Sequence, residues 1–390
     1  MKHVLPRFQR PIKSKGEPFI DVSYWETATQ AHDAKDYKKA LVETINYINP
    51  ALLKGKDTDK DIEIVQSQGS TEIHITITDD TFSVKAPFLK ITENTNKVAL
   101  YRKVAEVNFH PLKLTQIILH NDTLWFEYKT PIELCQPYKI YYLLREICIS
   151  ADNYDDEFIE KYNAEFYQEP KVTPLISEEK EQVWLQIENI LDDYKNYSAL
   201  FQEKRWNDFQ WDISLISILK IVNIPCVHGS LRTLLEFYVN TLMNGNLGFQ
   251  QRVDKSFGFM QKLCEMTKEE YLDNIYHAEA LISIKSRSSS SILQQHAKSL
   301  EKNLNSYVQK NDDLMLCYYL QYSFLYIIYC FNVEEHHKNA IYNVLEQVSG
   351  KSLDEAAPML LETYHSFLDG TVGTASHNSS KKGFFSKLFG

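Results

Sequence analysis

Between Lys97 and Tyr162 the hydrophobic period switches from helical to alternating and back again, which specifies a helix, a β-hairpin and a long amphipathic helix in that order. Leu100, Val104 and Val107 keep helical spacing until Pro111, whose ring nitrogen cannot donate to a helical ladder. Leu112, Leu114, Gln116 and Ile118 then read as one alternating row. Asn121-Asp122 supplies turn chemistry, and Leu124, Phe126 and Tyr128 resume the alternation. From Pro137, Ile140, Leu144, Ile147, Ala151, Tyr154 or Asp155, Phe158 and Tyr162 form a single helical stripe. Upstream, Ile62 and Ile64, then Ile73, Ile75 and Ile77, then Phe82, Val84 and Ala86 predict three more antiparallel strands, with turns at Gly69-Ser70 and Asp79-Asp80.

Before the strands, Ser23-x-x-Glu26 has the spacing of a helix-starting capping box. Tyr24 to Pro50 is similar to one tetratricopeptide-type helical hairpin, but no second copy follows to bury its face, so a single bent helical element is expected. The fold class is therefore an α+β domain of order α-β-β-β-α-β-β-α over 21–168, followed by an all-α domain over 175–370. Gln168 to Pro174 is the linker between them.

That order, with Val104-Ala-Glu-Val-Asn108 leading to Pro111, Ile117 to Tyr128, Thr130-Pro131-Ile132-Glu133-Leu134, Tyr142 to Ile147 and Ala151-Asp152-Asn153-Tyr154-Asp155, resembles the fold of type III secretion chaperones and of the YbjN family over residues 20–165. The resemblance implies a non-enzymatic, often dimeric domain that holds partner polypeptide segments or acts in bacterial regulation.

The 390 residues are 44 % apolar and 24 % charged, with twelve glycines and twelve prolines, which favours long helices. A formal charge of −10 argues against a nucleic-acid partner, since phosphate binding needs concentrated Lys and Arg. The first twenty residues are the basic exception and read as a flexible arm. Six scattered cysteines without a CxxC pair, and no signal-peptide pattern, point to a reducing cytoplasm. Leu314 to Val333 is free of charge over twenty positions. Its five tyrosines and its acidic flanks fit a buried helix of the all-α domain rather than a membrane span. Helices around 252–285 and 291–310 are expected to be joined by a mobile serine-rich loop at Ser286 to Ser291.

No catalytic constellation stands out, and neither a metal nor a cofactor is expected. His336-His337 beside Glu334-Glu335 looks metal-like in composition, yet adjacent helical side chains diverge by about 100°, so a solvated helix start is expected. Cys226 and His228 beside Gly229-Ser230 read as a helix break with Ser230 as the cap of the next helix. Asp152, Asp155, Asp156 and Glu157 lack the spacing of a calcium loop and read as a solvated acidic helix end.

Two candidate partner sites remain. Trp125 lies on the outward strand face with Glu127 and Lys129, either exposed as a contact surface or buried under the N-terminal helices. The 371–390 segment is a polar tether ending in Lys381, Lys382, Phe384, Phe385, Lys387, Leu388 and Phe389, a short aromatic and basic binding element. The expected function is a chaperone-like adaptor for protein partners, with homodimerisation through the α+β domain. A peripheral membrane or assembly-anchored scaffold held by the tail is the alternative, and an enzyme of unrecognised type in the helical domain is the third reading.

Overall fold

The computed structural model describes residues 4–13, 20–69, 71–169 and 171–372. Two helices open the first domain, α1 (Val22–Asp33) and α2 (Tyr37–Ile48). Lys35 adopts the left-handed conformation between them (φ 64°), and the Asp36 side chain accepts the Lys39 N–H to start α2. A helical hairpin therefore replaces the single bent element expected. The α1 cap is also two residues upstream of the expected one, since Asp21 rather than Ser23 supplies the accepting oxygen.

Strands β1 (Ile62–Gln68), β2 (Thr71–Ile77) and β3 (Thr81–Lys90) form a meander. After α3 (Lys97–Phe109), β4 (Gln116–His120) and β5 (Thr123–Pro131) make the hairpin, and β5 returns beside β3. The resulting order is β1-β2-β3-β5-β4, with the short β6 (Glu165–Phe166) also on β3. Ile62, Ile64, Ile73, Ile75, Ile77, Phe82, Val84 and Phe126 line a buried face, as their alternation predicts. That face packs in one core with α1, α2 and α4 (Pro137–Tyr162). Ile140, Leu144, Ile147, Ala151 and Phe158 of α4 are all buried, as is Asp155, which turns inward rather than joining a solvated acidic end.

The β4 row differs by one residue from the expected one. Ile117 faces the core, Gln116 is exposed, and Leu112 and Leu114 precede the strand. A slip of one residue exchanges the two faces of a strand, and here burial of Ile117 opposite Phe126 sets the register.

The linker is not free. Its β7 (Val172–Pro174) pairs antiparallel with β8 (Tyr276–Ala278) of the second domain. That domain runs through α5 (Ser177–Lys204), α6 (Phe209–Val222), α7 (Gly229–Leu242), α8 (Phe249–Glu265) and the short α9 (Lys268–Leu272). It continues through β9 (Ser286–Arg287), α10 (Ser290–Gln309), α11 (Asp313–Cys330), β10 (Phe331–Asn332), α12 (Glu335–Val348) and α13 (Leu353–Leu368). The uncharged run forms α11 up to Cys330. Its Tyr318, Leu320, Phe324, Leu325 and Ile328 are buried, and it packs against α6 and α13.

Residues 4–13 are not the solvated arm suggested by their charge. They form an extended strap on the helical domain. Leu5 is buried, its N–H donates to the Lys351 carbonyl, and its own carbonyl accepts from Gly350. The expected helix to 285 also stops early, at Leu272. The extended segment after α9 crosses to the first domain, where Leu281 and Ile282 are buried in its core and their N–H groups donate to Gln68 Oε1. Ser286 and Arg287 are held by parallel pairing with β10 rather than lying in a free loop.

One buried acid generates a stability prediction. Asp212, in the first turn of α6, is buried, and desolvation, with Asp208 nearby, pushes its carboxyl up to about 8 against a backbone N–H that favours the charged form. A folded-state value above the ordinary 3.8 contributes stability below about pH 4 that is lost as pH rises through about 8. Asp212→Asn should therefore raise the unfolding free energy at neutral pH, by on the order of 1–3 kcal/mol, and lose this advantage near pH 4. Urea unfolding of both proteins across that range measures it; parallel pH profiles would contradict the assignment.

Candidate functional site

The outer face of the six-stranded sheet is mostly polar and is built by the residues that alternate with the core row. Glu63, Lys85 and Lys129 are exposed on it, and Glu127 accepts from the His120 ring at 2.8 Å. The exposed Val65 and one cross-strand row break this pattern. Pro87 of β3 lies opposite Trp125 of β5, and Trp125 lies opposite Ile118 of β4, so all three side chains share the outer face. Pro87 is tolerated because the β3–β5 register shifts between it and Leu89, where the ladder is already interrupted.

Trp125 is half-buried on this face and does not sit beneath α1 or α2, whose core lies on the opposite side. Tyr167, carried there by the turn after β6, places its ring 5.8 Å from the indole. The His120 ring is 6.3 Å away on the other flank. Lys90 Nζ stands 5.3 Å from the Tyr167 ring. The sequence alternation located Trp125; the partners Pro87, Ile118 and Tyr167 required the strand pairing. The tail residues Lys381, Lys382, Phe384, Phe385, Lys387, Leu388 and Phe389 lie outside the described residues.

Beside this row, β4 is an edge of the sheet, and α3 closes part of it. Asn108 accepts the Ile117 N–H at 2.7 Å and donates to the Ile117 carbonyl at 2.8 Å, so one side chain imitates a neighbouring strand. Glu146 of α4 accepts three successive N–H groups, from Lys113, Leu114 and Thr115, at the approach to β4. The face is open, whereas the edge is partly capped.

A second polar cluster lies beneath the strap. Asp193 of α5 takes the Arg7 N–H on one oxygen and the guanidinium on the other, each at 2.7 Å. Lys220 of α6 donates to the Arg7 carbonyl at 2.6 Å. A cavity of about 230 Å³ adjoins them, lined by Phe8, Gln186, Asn189 and Ser349 as well. Burial lowers the Lys220 ammonium to about 8, with Asp193 opposing the shift. These residues hold both backbone polar groups of Arg7, its N–H and its carbonyl, so the cluster reads as an anchor for the strap.

At the α6–α7 break, burial pushes the Cys226 thiol up to about 12, which removes the thiolate that nucleophilic chemistry needs. His228 is stacked on Tyr276, with ring centroids 4.9 Å apart, and burial lowers it to about 4. Ser230 does not cap α7 in the way its position suggested. The cap oxygen is Asn274 Oδ1, which accepts from both the Leu231 N–H and the Ser230 hydroxyl. Gly229 is required there, because its φ of +57° is left-handed and a Cβ would stand 2.7 Å from that same oxygen.

The start of α12 also departs from expectation. His337 is 4 % exposed, and its Nδ1 is buried without a hydrogen-bond partner. Glu334 lies just outside the helix in extended conformation, which folds its carboxylate back over the first turn. Its Oε2 stands 3.7 Å from His337 Nδ1 and 3.9 Å from His336 Nε2. The two imidazole rings, expected to diverge, have centroids 3.9 Å apart. Among the described residues this is the one His, Cys or carboxylate group with the proximity needed to hold a metal ion.

No family model, curated protein or solved structure matches the chain. No helix among the described residues is long and apolar enough to cross a membrane.

The strap anchor can be tested by its pH dependence. Because the folded-state value of Lys220 lies below the ordinary 10.5, the unfolded chain binds more protons between about pH 8 and pH 10.5, and stability rises with pH in that window. Lys220→Met removes the term, so the stability of wild type relative to this variant should improve from about pH 7 to about pH 9.5 in chemical unfolding. A constant difference would show that the ammonium is not desolvated.

Proposed function

We propose that the protein is a non-enzymatic adaptor of the chaperone-like kind, which holds a segment of a partner polypeptide on the open face of its antiparallel sheet. The observation that carries this reading is the Pro87–Trp125–Ile118 row, an apolar strip framed by Tyr167 and His120 on a mostly polar face, in which Pro87 is buried while Trp125 and Ile118 stay half-buried. A half-buried indole flanked by rings is rigid and gains contact area at low entropic cost. Tryptophan is accordingly enriched among the residues that dominate binding energy.

The polar surroundings supply specificity: Glu127, Lys85 and Lys90 can pair with charges on either side of an apolar anchor. Capping of the β4 edge by Asn108 favours occupation of the face over addition of a further strand at Ile117. The resemblance of residues 20–165 to secretion chaperones and the YbjN family supports the same reading, including a bacterial source and a role in handling polypeptides. Buried, neutral thiols at Cys135, Cys226 and Cys317 give no support to thiol chemistry.

Trp125→Ser with Ile118→Ser tests the proposal. Both side chains are on the outer face, so thermal unfolding should shift by no more than about 1 kcal/mol equivalent. Site-specific photocrosslinking from Lys85 in native cells should capture a discrete partner with wild type and lose it with the double variant. Capture that persists undiminished in the variant would exclude this face as the binding surface.

A further inference from the structure

We propose that Glu334, His336 and His337 form a binding site for a first-row divalent cation of the zinc class, with three protein ligands and an open fourth position. The spacing carries the argument. Glu334 Oε2 is 3.7 Å from His337 Nδ1 and 3.9 Å from His336 Nε2, too long for hydrogen bonds in either case. Ligand atoms about 2.0–2.2 Å from a tetrahedral ion stand roughly 3.3–3.5 Å apart, so the two Glu334 pairs need a contraction of a few tenths of an ångström, and rotation of the exposed His336 ring brings the third ligand atom into range. All three candidate ligand atoms already lie within 4.8 Å of one another.

A second observation points to a ligand independently. The His337 side chain is 5 % exposed and its Nδ1 has no hydrogen-bond partner, yet this nitrogen is aimed at the Glu334 carboxylate. A buried polar atom without a partner is destabilising, and a coordinating cation would supply that partner. His336, with 45 % of its side chain exposed, leaves a route for the ion to enter from solvent.

The carboxylate is already oriented by its other oxygen. Glu334 Oε1 accepts the backbone N–H of Val22 at 3.1 Å, leaving Oε2 for the ion. Val22 is the first residue of α1 in the sheet domain, whereas Glu334 precedes α12 in the helical domain. A cation bound here would stiffen the carboxylate that ties the two domains together at this point.

Zinc chloride titrated into the full chain, followed by competition with a chromophoric chelator and by thermal unfolding, tests the site. Wild type should bind one more zinc equivalent than His336→Ala, or bind that equivalent at least about tenfold more tightly. Its melting temperature should rise with zinc while that of the variant does not. His336 is at the surface, so this variant is expected to fold; Glu334→Gln provides the second carboxylate-side test with all cysteines intact. Cobalt substitution should give the intense visible bands of a four-coordinate site in wild type alone. Identical zinc isotherms and melting shifts for wild type and both variants would assign any binding to other groups and overturn the proposal.

Discussion

Two helices that are apolar on nearly every side, α6 and α11, require cover in every direction, and the second domain is arranged to provide it. All but the first residue of α6 are buried, and α11 buries eleven of its residues between Leu316 and Ile328. A helix without a polar face cannot end at a solvent boundary. The surrounding helices α5, α7, α8, α10, α12 and α13 each carry one apolar stripe and one wet face, and they close around the pair. The strap completes the shell with Leu5 and Phe8. Lys220 of α6 is buried beneath the strap. Its ammonium would be stranded without the Arg7 carbonyl, which explains why a short basic segment is held so firmly by hydrogen bonds.

The two domains are joined by burial as well as by the chain connection. Leu281 and Ile282 belong by sequence to the helical half and by packing to the core of the sheet domain. At about 1.5–3 kcal/mol for each fully buried side chain, their insertion contributes an appreciable gross stabilisation to the junction. Arg145 of α4 donates to the Ile284 carbonyl, and the Arg287 guanidinium lies 4.5 Å from the Trp25 ring and 5.2 Å from that of Tyr138. With the β7–β8 ribbon and the Glu334–Val22 hydrogen bond, these contacts bind the junction at several separated points.

The sheet domain uses its two faces differently. Isoleucine-rich alternation commits one face to the core, while the other stays mostly polar, with the row through Trp125 and the exposed Val65 as its apolar members. An open sheet is exposed to unwanted pairing along its edges, and Asn108 and Glu146 occupy backbone donors at the β4 end. This capping leaves the β4 edge more fully occupied than the face beside it. It also ties α3 and α4 to the hairpin they flank.

Periodicity alone made the α+β and all-α division, the five strands, the inward row of β5 and the stripe of α4 legible, because burial on one face leaves a repeat of 2 or 3.6 residues in the chain. Trp125 was legible as an outward residue for the same reason. Composition could not show that residues 4–13 are anchored, since Arg7, Asp193 and Lys220 are brought together across the helical domain. Nor could helical spacing show that Leu281 and Ile282 leave their own domain, or that Asn274 rather than Ser230 caps α7. The convergence of Glu334, His336 and His337 was hidden by treating all three as ordinary helical positions, whereas Glu334 sits outside the helix and turns back over its first turn. Local pattern determines which face of an element seeks burial; which distant group meets that face is decided only when the chain has closed on itself.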